Sequence, residues 1–257
     1  ELTEPRARRL AAFTEVFDVD AHRVTFVAGC ASIEGRTSAM DRVARTLSAE
    51  GALSAWRDER YEVHTHDGAP PAFLLERAAA RYFGVRTRAV HVNGLVDTGT
   101  GAAMWIARRS PTKAIDPGML DNLVGGGIAA GATVAQTLAK EAWEEAGIDA
   151  ATVSSATPAG TIHVRRLQRD GLQHETIHVH DLWLPSEFVP ANQDGEAVEH
   201  RRVALATLPA LLVHDDGPEV LTADASLVAL DALLRLGVID ADDPLHPWLA
   251  ALCGQGR

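Results

Sequence analysis

The sequence predicts an α/β sandwich around a mixed sheet, preceded by a small α+β domain. Three observations carry this expectation. Residues 88–96, 102–108, 157–167 and 175–184 alternate with the period of half-buried strands, and residues 134–146 and 223–236 carry apolar stripes of helical period. Before residue 88 the periodicity is shorter and mixed, which places a domain boundary there and divides the chain into 1–87 and 88–257.

In the first part, 5–17 reads as a helix with Leu10, Phe13 and Phe17 on one side, and 24–28 as a short strand. Residues 38–50 read as a second helix with Ser38 as N-cap and Met40, Val43 and Leu47 inward. Residues 61–64 suit a strand. Pro70 and Pro71 then introduce a helix over 72–83, closed by Gly84.

In the second part, Asp97 to Gly101 is a hairpin turn between strands 88–96 and 102–108. A short strand at 120–124 feeds three glycines, Gly125, Gly126 and Gly127. The helix after them is closely specified. Thr133 and Gln136 form a capping box, Val134, Leu138 and Ala142 form the apolar stripe, and Gly147 ends it. Strands at 157–167 and 175–184 are joined by a turn at Asp170-Gly171. A strand at 196–205, a helical start at 208–212 and a helix at 223–236 complete the order.

Chemistry concentrates on the helix after the glycines. Glu141, Glu144 and Glu145 stand at i, i+3 and i+4, within an arc of ~100°. Like charges at that spacing cost a helix a few tenths of a kcal/mol each. They also lie near the C-terminus, where the macrodipole disfavours them. A divalent cation that prefers hard oxygen ligands, Mg²⁺ or Mn²⁺, would turn this liability into a site.

The segment resembles the Nudix box: Gly, five residues, Glu, seven residues, then Arg-Glu-apolar-any-Glu-Glu-any-Gly-apolar. Counted from Gly126, the frame lands on Lys140, Glu141, Ala142, Glu144, Glu145, Gly147 and Ile148. Ala132 stands where the first Glu belongs and Lys140 where Arg belongs. The second departure keeps the charge and loses the planar guanidinium fork. Further segments, Val92-Asn93-Gly94, 104–110, 117–123 and 188–196, resemble a thiamine-pyrophosphokinase-related branch of that family, whose members carry an extra N-terminal domain.

The resemblance implies a Nudix α/β/α sandwich and a metal-dependent hydrolase of phosphoanhydrides. It implies thiamine diphosphate or its oxidised analogues as substrate, cleaved to monophosphate and phosphate. A nucleoside or sugar diphosphate is the alternative substrate, and a non-catalytic diphosphate-binding protein the alternative class. Glu141, Glu144 and Glu145 are the expected catalytic and metal-binding carboxylates, with the Gly125 carbonyl as the family-implied backbone ligand. Glu196, in a Gln-Asp-Gly-Glu turn, is a further ligand or general-base candidate, and Asp194 a turn former. Arg108 and Lys113 are candidates for holding the diphosphate. On a strand Arg108 and Arg109 face opposite ways, so at most one of them points to a site. Asp121 and Asn122 are candidate pocket residues, and Trp105 could stack on a ring.

A formal net charge of −11 argues against nucleic acid or an anionic membrane as partner. No apolar run reaches the ~20 residues of a membrane span. Cys30 and Cys253 are too far apart in sequence to form a zinc motif or a disulfide framework, which suits a reducing compartment. The charged start has no apolar signal core after it, so the cytoplasm is the expected location. A small-molecule diphosphate is the expected partner, and a homodimer is compatible with the sequence.

Overall fold

The computed structural model describes residues 2–254. Two compact units are present. The first holds the residues up to Thr87 together with Ile128–Ala132 and Val164–Glu175. The second holds Arg88–Gly127, Thr133–His163 and the residues from Thr176 onward.

The first unit opens with helix α1, Glu4–Leu10. It is shorter than the period of Leu10, Phe13 and Phe17 suggests. After Leu10 the chain turns, with the N–H groups of Val16 and Phe17 both donating to the Phe13 carbonyl. Phe17 then enters strand β1, Phe17–Val19, which pairs antiparallel with β2, Val24–Phe26. The Phe17 and Phe26 rings stack at 5.5 Å. Cross-strand aromatic pairing outweighs helical propensity here.

Helix α2 runs Ile33–Ala49 and starts before Ser38, because Ser32 is the cap: its Oγ accepts from the Gly35 N–H at 3.0 Å. Arg36 secures that first turn by donating to the carbonyls of Ala31 and Ala72.

Residues 72–83 do not form the expected single helix. Pro71–Glu76 is strand β4, antiparallel to β3, Arg60–His64, with Tyr61 opposite Leu75 and Val63 opposite Phe73. Phe73 and Leu75 alternate into the core beneath α2, and Pro71 sits at the strand start, where a missing N–H is tolerated. A 3₁₀ turn and the short helix α3, Ala80–Phe83, follow, and Gly84 closes α3 with φ 57°. Leu10, Met40, Leu47 and Leu75, all almost fully buried, form the centre of this unit's core.

The larger sheet has seven strands, in the order Ala197–Ala204 (β11), Ala102–Arg109 (β6), Thr87–Asp97 (β5), Gly171–Leu184 (β10) and Thr157–Gln168 (β9), with Leu120–Asn122 (β7) on β6 and Val124–Gly127 (β8) on β5. Strands β5, Thr87–Asp97, and β6, Ala102–Arg109, form the expected hairpin. The expected strand at 120–124 divides. Leu120–Asn122 is β7, on β6, and Val124–Gly127 is β8, on β5. Leu123 between them fills the space at Gly94, where a Cβ would lie 2.2 Å from its Cδ2.

Helix α4, Val134–Ala146, packs on β8, and the short helix α5, Ala150–Val153, follows it. Strands β9, Thr157–Gln168, and β10, Gly171–Leu184, are joined by a tight turn. β11, Ala197–Ala204, pairs with β6. On the other face, α6, Leu208–Leu212, and α7, Ala223–Arg235, cover Leu95, Met104, Ile106 and Leu120. A last helix, α8, His246–Leu252, packs on α7. No helix among the described residues is long and apolar enough to cross a membrane.

Candidate active site

Helix α4 forms as its sequence dictates. Thr133 Oγ accepts from the Gln136 N–H, the Gln136 side chain accepts from the Thr133 N–H, and Gly147 ends the helix with φ 66°. Its last carbonyls need partners, and the loop after Pro190 supplies them. The Gln193 N–H donates to the Glu144 carbonyl at 2.7 Å, and the Ala191 N–H donates to the Ala146 carbonyl at 2.9 Å. Asp194 then caps its own turn by accepting from the Glu196 N–H and from Asn192 Nδ2, both at 2.8 Å. The loop that finishes the helix therefore carries Glu196 back beside it.

Glu145 is buried. Its Oε2 accepts from the Gly125 N–H at 2.8 Å, and its Oε1 lies 3.9 Å from Lys113 Nζ. Burial pushes its carboxyl up to about 8. Lys113 and the Gly125 N–H pull the other way, while the charges of Asp121 and Glu141 add to the rise. Lys113 also pairs with Glu196, so Glu145, Lys113 and Glu196 form one cluster.

Glu141 lies over Gly126, where a Cβ would come within 2.4 Å of its carboxyl carbon. The glycine is required for that approach. Lys140 Nζ bridges Glu141 Oε1 at 2.9 Å and Glu144 Oε2 at 2.7 Å. Burial lowers its pKa, but the hydrogen bonds to Glu144 and Glu141 outweigh this and hold it above the ordinary lysine value.

The other expected site residues divide between the two faces of the sheet. Asp121 accepts from Arg109 Nη1 at 2.6 Å and contributes to the charge around Glu145. Arg108, expected at the diphosphate, is committed elsewhere: it pairs with Glu199 at 2.7 Å and Glu219 at 2.9 Å and donates to the Gly118 carbonyl. Strand alternation separates the two arginines, and Arg109 is the one placed with Asp121. Asn122 is buried on the opposite side from Asp121, with Oδ1 2.7 Å from His91 Nδ1.

Trp105 does not offer a ring face for stacking. It is 5% exposed, in a strand paired on both sides, with the Arg202 guanidinium over its ring at 5.3 Å. His91 went unassigned in the sequence. Its imidazole lies directly beneath Gly125, where a Cβ would come within 3.0 Å of it. A histidine two residues from an asparagine in an alternating strand gives no such signal by itself.

The donor set suits a hard divalent cation in kind: three carboxylates and a glycine carbonyl at one helix and strand. The Lys140 ammonium, held by two of those carboxylates, stands in for a cation there. As the side chains lie, no three His, Cys, Asp or Glu groups among the described residues converge on a single metal position. Glu145 is turned to Gly125 and Glu144 to Lys140, so they would have to swing inward.

Residues 85–247 match the family model described as NUDIX domain, and residues 2–87 match one described as Domain of unknown function (DUF4743). The chain belongs to the NUDIX family. It is 36% identical over 211 residues to Nudix hydrolase 24, chloroplastic, of Arabidopsis thaliana, a match covering 82% of this chain and 57% of that protein. It is 30% identical over 249 residues to the uncharacterized protein YJR142W of Saccharomyces cerevisiae, covering 90% of this chain and 71% of that one. The chain thus spans little more than half the length of its Arabidopsis relative. The crystal structure of DR0079 from Deinococcus radiodurans shares the Nudix fold, with a TM-score of 0.50 at 22% identity, over 66% of this chain and 97% of that one.

Proposed function

We propose that this Nudix chain hydrolyses a phosphoanhydride with the help of Mg²⁺ or Mn²⁺. Thiamine diphosphate or its oxidised analogues would be the substrate, with the monophosphate and phosphate as products. The observation that carries the chemistry is the packing of Glu141 over Gly126, with Glu144 and Glu145 on the same helix. The substrate class rests on the resemblance of residues 92–94, 104–110, 117–123 and 188–196 to the thiamine-related branch.

Glu141, Glu144, Glu145 and the Gly125 carbonyl would hold the cation. When bound, it would offset the diphosphate charge and acidify an attacking water. The chain's own residues do the rest. Lys113 and Arg109 bring positive charge to the glutamate cluster, suited to holding phosphoryl oxygens. Glu196, paired with Lys113, would take a proton from water. Without a cation the Gly125 N–H holds the Glu145 carboxylate, which would turn from it to join the metal.

A second reading, a diphosphate-binding protein without turnover, has one observation behind it. Lys140 occupies the carboxylates a cation would need.

The deciding measurement is phosphate release with Mg²⁺ or Mn²⁺ from thiamine diphosphate, its oxidised analogues, nucleoside diphosphates and sugar nucleotides. The expected result is preference for the thiamine compounds and a loss of about 100-fold or more in Glu144→Gln with unchanged folding. Undiminished activity in that variant would sink the site assignment. Preference for another diphosphate would discard the substrate alone. Tight binding without turnover would favour the second reading.

A further inference from the structure

His91 takes no part in the proposed hydrolysis, yet its contacts tie it to the glycine turn. It stands on β5 opposite Gly125 of β8 and is 7% exposed. A Cβ on Gly125 would lie 3.0 Å from its Cε1, 3.2 Å from its Nδ1 and 3.3 Å from its Nε2. The imidazole therefore fills the space that a side chain at 125 would need, and glycine is what lets the backbone come so near.

The imidazole is itself held in place. Its Nδ1 lies 2.7 Å from Asn122 Oδ1 on β7. A carbonyl oxygen can only accept, so Nδ1 carries the proton and donates it. Asn122 is 2% exposed, and its Nδ2 has no partner among the described residues. A buried amide with an unpaired donor is costly. The bond to His91 is the contact that offsets this cost at a position where an apolar side chain would otherwise serve.

Asn122 and Gly125 bracket the step in which the chain leaves the edge of β6 and joins β5. One imidazole braces both ends of that step, by a hydrogen bond at Asn122 and by packing at Gly125. From Gly125 the contacts continue to α4, because its N–H donates to Glu145 Oε2 at 2.8 Å.

We infer that His91 is a positioning residue for the cation. It sets the place of the Gly125 backbone, whose carbonyl is the family-implied ligand, and Asn122 sets the place of His91. Groups that stand behind metal ligands govern affinity in this way. The inference rests on the metal-site reading proposed above.

Mn²⁺ alone is the probe, titrated by calorimetry into the full chain, with thermal unfolding of the metal-free protein measured alongside. His91→Ala should weaken Mn²⁺ binding by about tenfold or more. His91→Gln, whose amide can still donate to Asn122 Oδ1, should recover part of that loss. Leu233→Ala truncates the core under α7. It should lower Tm and leave Mn²⁺ affinity unchanged, which separates positioning from a general loss of stability. Equal Mn²⁺ affinity in wild type and folded His91→Ala would overturn the inference and leave the metal site standing. So would a loss of affinity in Leu233→Ala as large as that in His91→Ala. A wild type that binds no Mn²⁺ would overturn the metal-site reading and the inference with it. If His91→Ala does not fold, NMR of the wild type decides. The His91 Nδ1–H resonance should move as Mg²⁺ binds, and a resonance that stays fixed while Mg²⁺ binds would overturn the inference.

Discussion

Glu145 links the stability of the metal-free protein to pH. Burial holds its proton up to about 8, against 4.5 for an ordinary glutamate. Between those values the folded chain binds a proton that the unfolded chain has released. Stability must therefore fall as pH rises through that window and level off above it. The imidazoles of His178, His180 and His200 are held below their ordinary range by burial. They act with the opposite sign below about pH 6.5, so the comparison must be with a variant rather than with theory. Glu145→Gln should flatten the decline in metal-free Tm between about pH 6.5 and pH 8. Added Mg²⁺, which favours the ionised carboxylate, should raise the wild-type Tm more at the higher pH and lose most of that advantage in the variant. Parallel Tm profiles for the two proteins would show that Glu145 is ionised throughout.

At the scale of elements, the α4 terminus couples stability to the site. Gly147 is left-handed, and a Cβ there would lie 2.8 Å from the Ala191 carbonyl oxygen. Gly147→Ala should cost about 1–2 kcal/mol for the backbone conformation alone. It should also push away the loop that carries Glu196, lowering kcat beyond what the lost stability explains. A variant with reduced Tm but full kcat would mean that the loop does not position a working group. This helix was legible in the sequence because every signal for it is local: the capping box, the stripe and the terminal glycine. The same holds for the β5–β6 hairpin and for α7. What was not legible depended on partners distant in sequence. Residues 72–76 look like a helix after two prolines until Tyr61 and Val63 are set opposite Leu75 and Phe73. Ser38 reads as the cap, but it is the Ser32 Oγ, six residues earlier, that accepts from the amide of the first turn. In the site, the carboxylates were readable from spacing. Which arginine faces Asp121, and that Trp105 is walled in, follow from strand neighbours no local pattern names.

Across the whole molecule, charge is distributed unevenly. The chain carries −11 overall, and most of that excess costs little while it remains hydrated. Glu76, Glu145, Asp181 and Asp231 are buried instead, and the two aspartates share one cation. Asp181 and Asp231 are buried in the second unit, and Arg235 serves both, at 2.6 Å and 2.7 Å. Asn93, fully buried on β5, adds a hydrogen bond to Asp181 at 2.9 Å. This network joins the central sheet to α7 through one guanidinium. Arg235→Ala would remove the guanidinium that both desolvated carboxylates share, and removing one partner of such a buried set costs about 3–5 kcal/mol. Adding Asp181→Asn and Asp231→Asn to Arg235→Ala removes both charges and should restore much of the stability. Thermal unfolding of the single and triple variants tests this. A loss that the triple variant fails to repair would mean that Arg235 acts through its packing on the sheet and not through its charge.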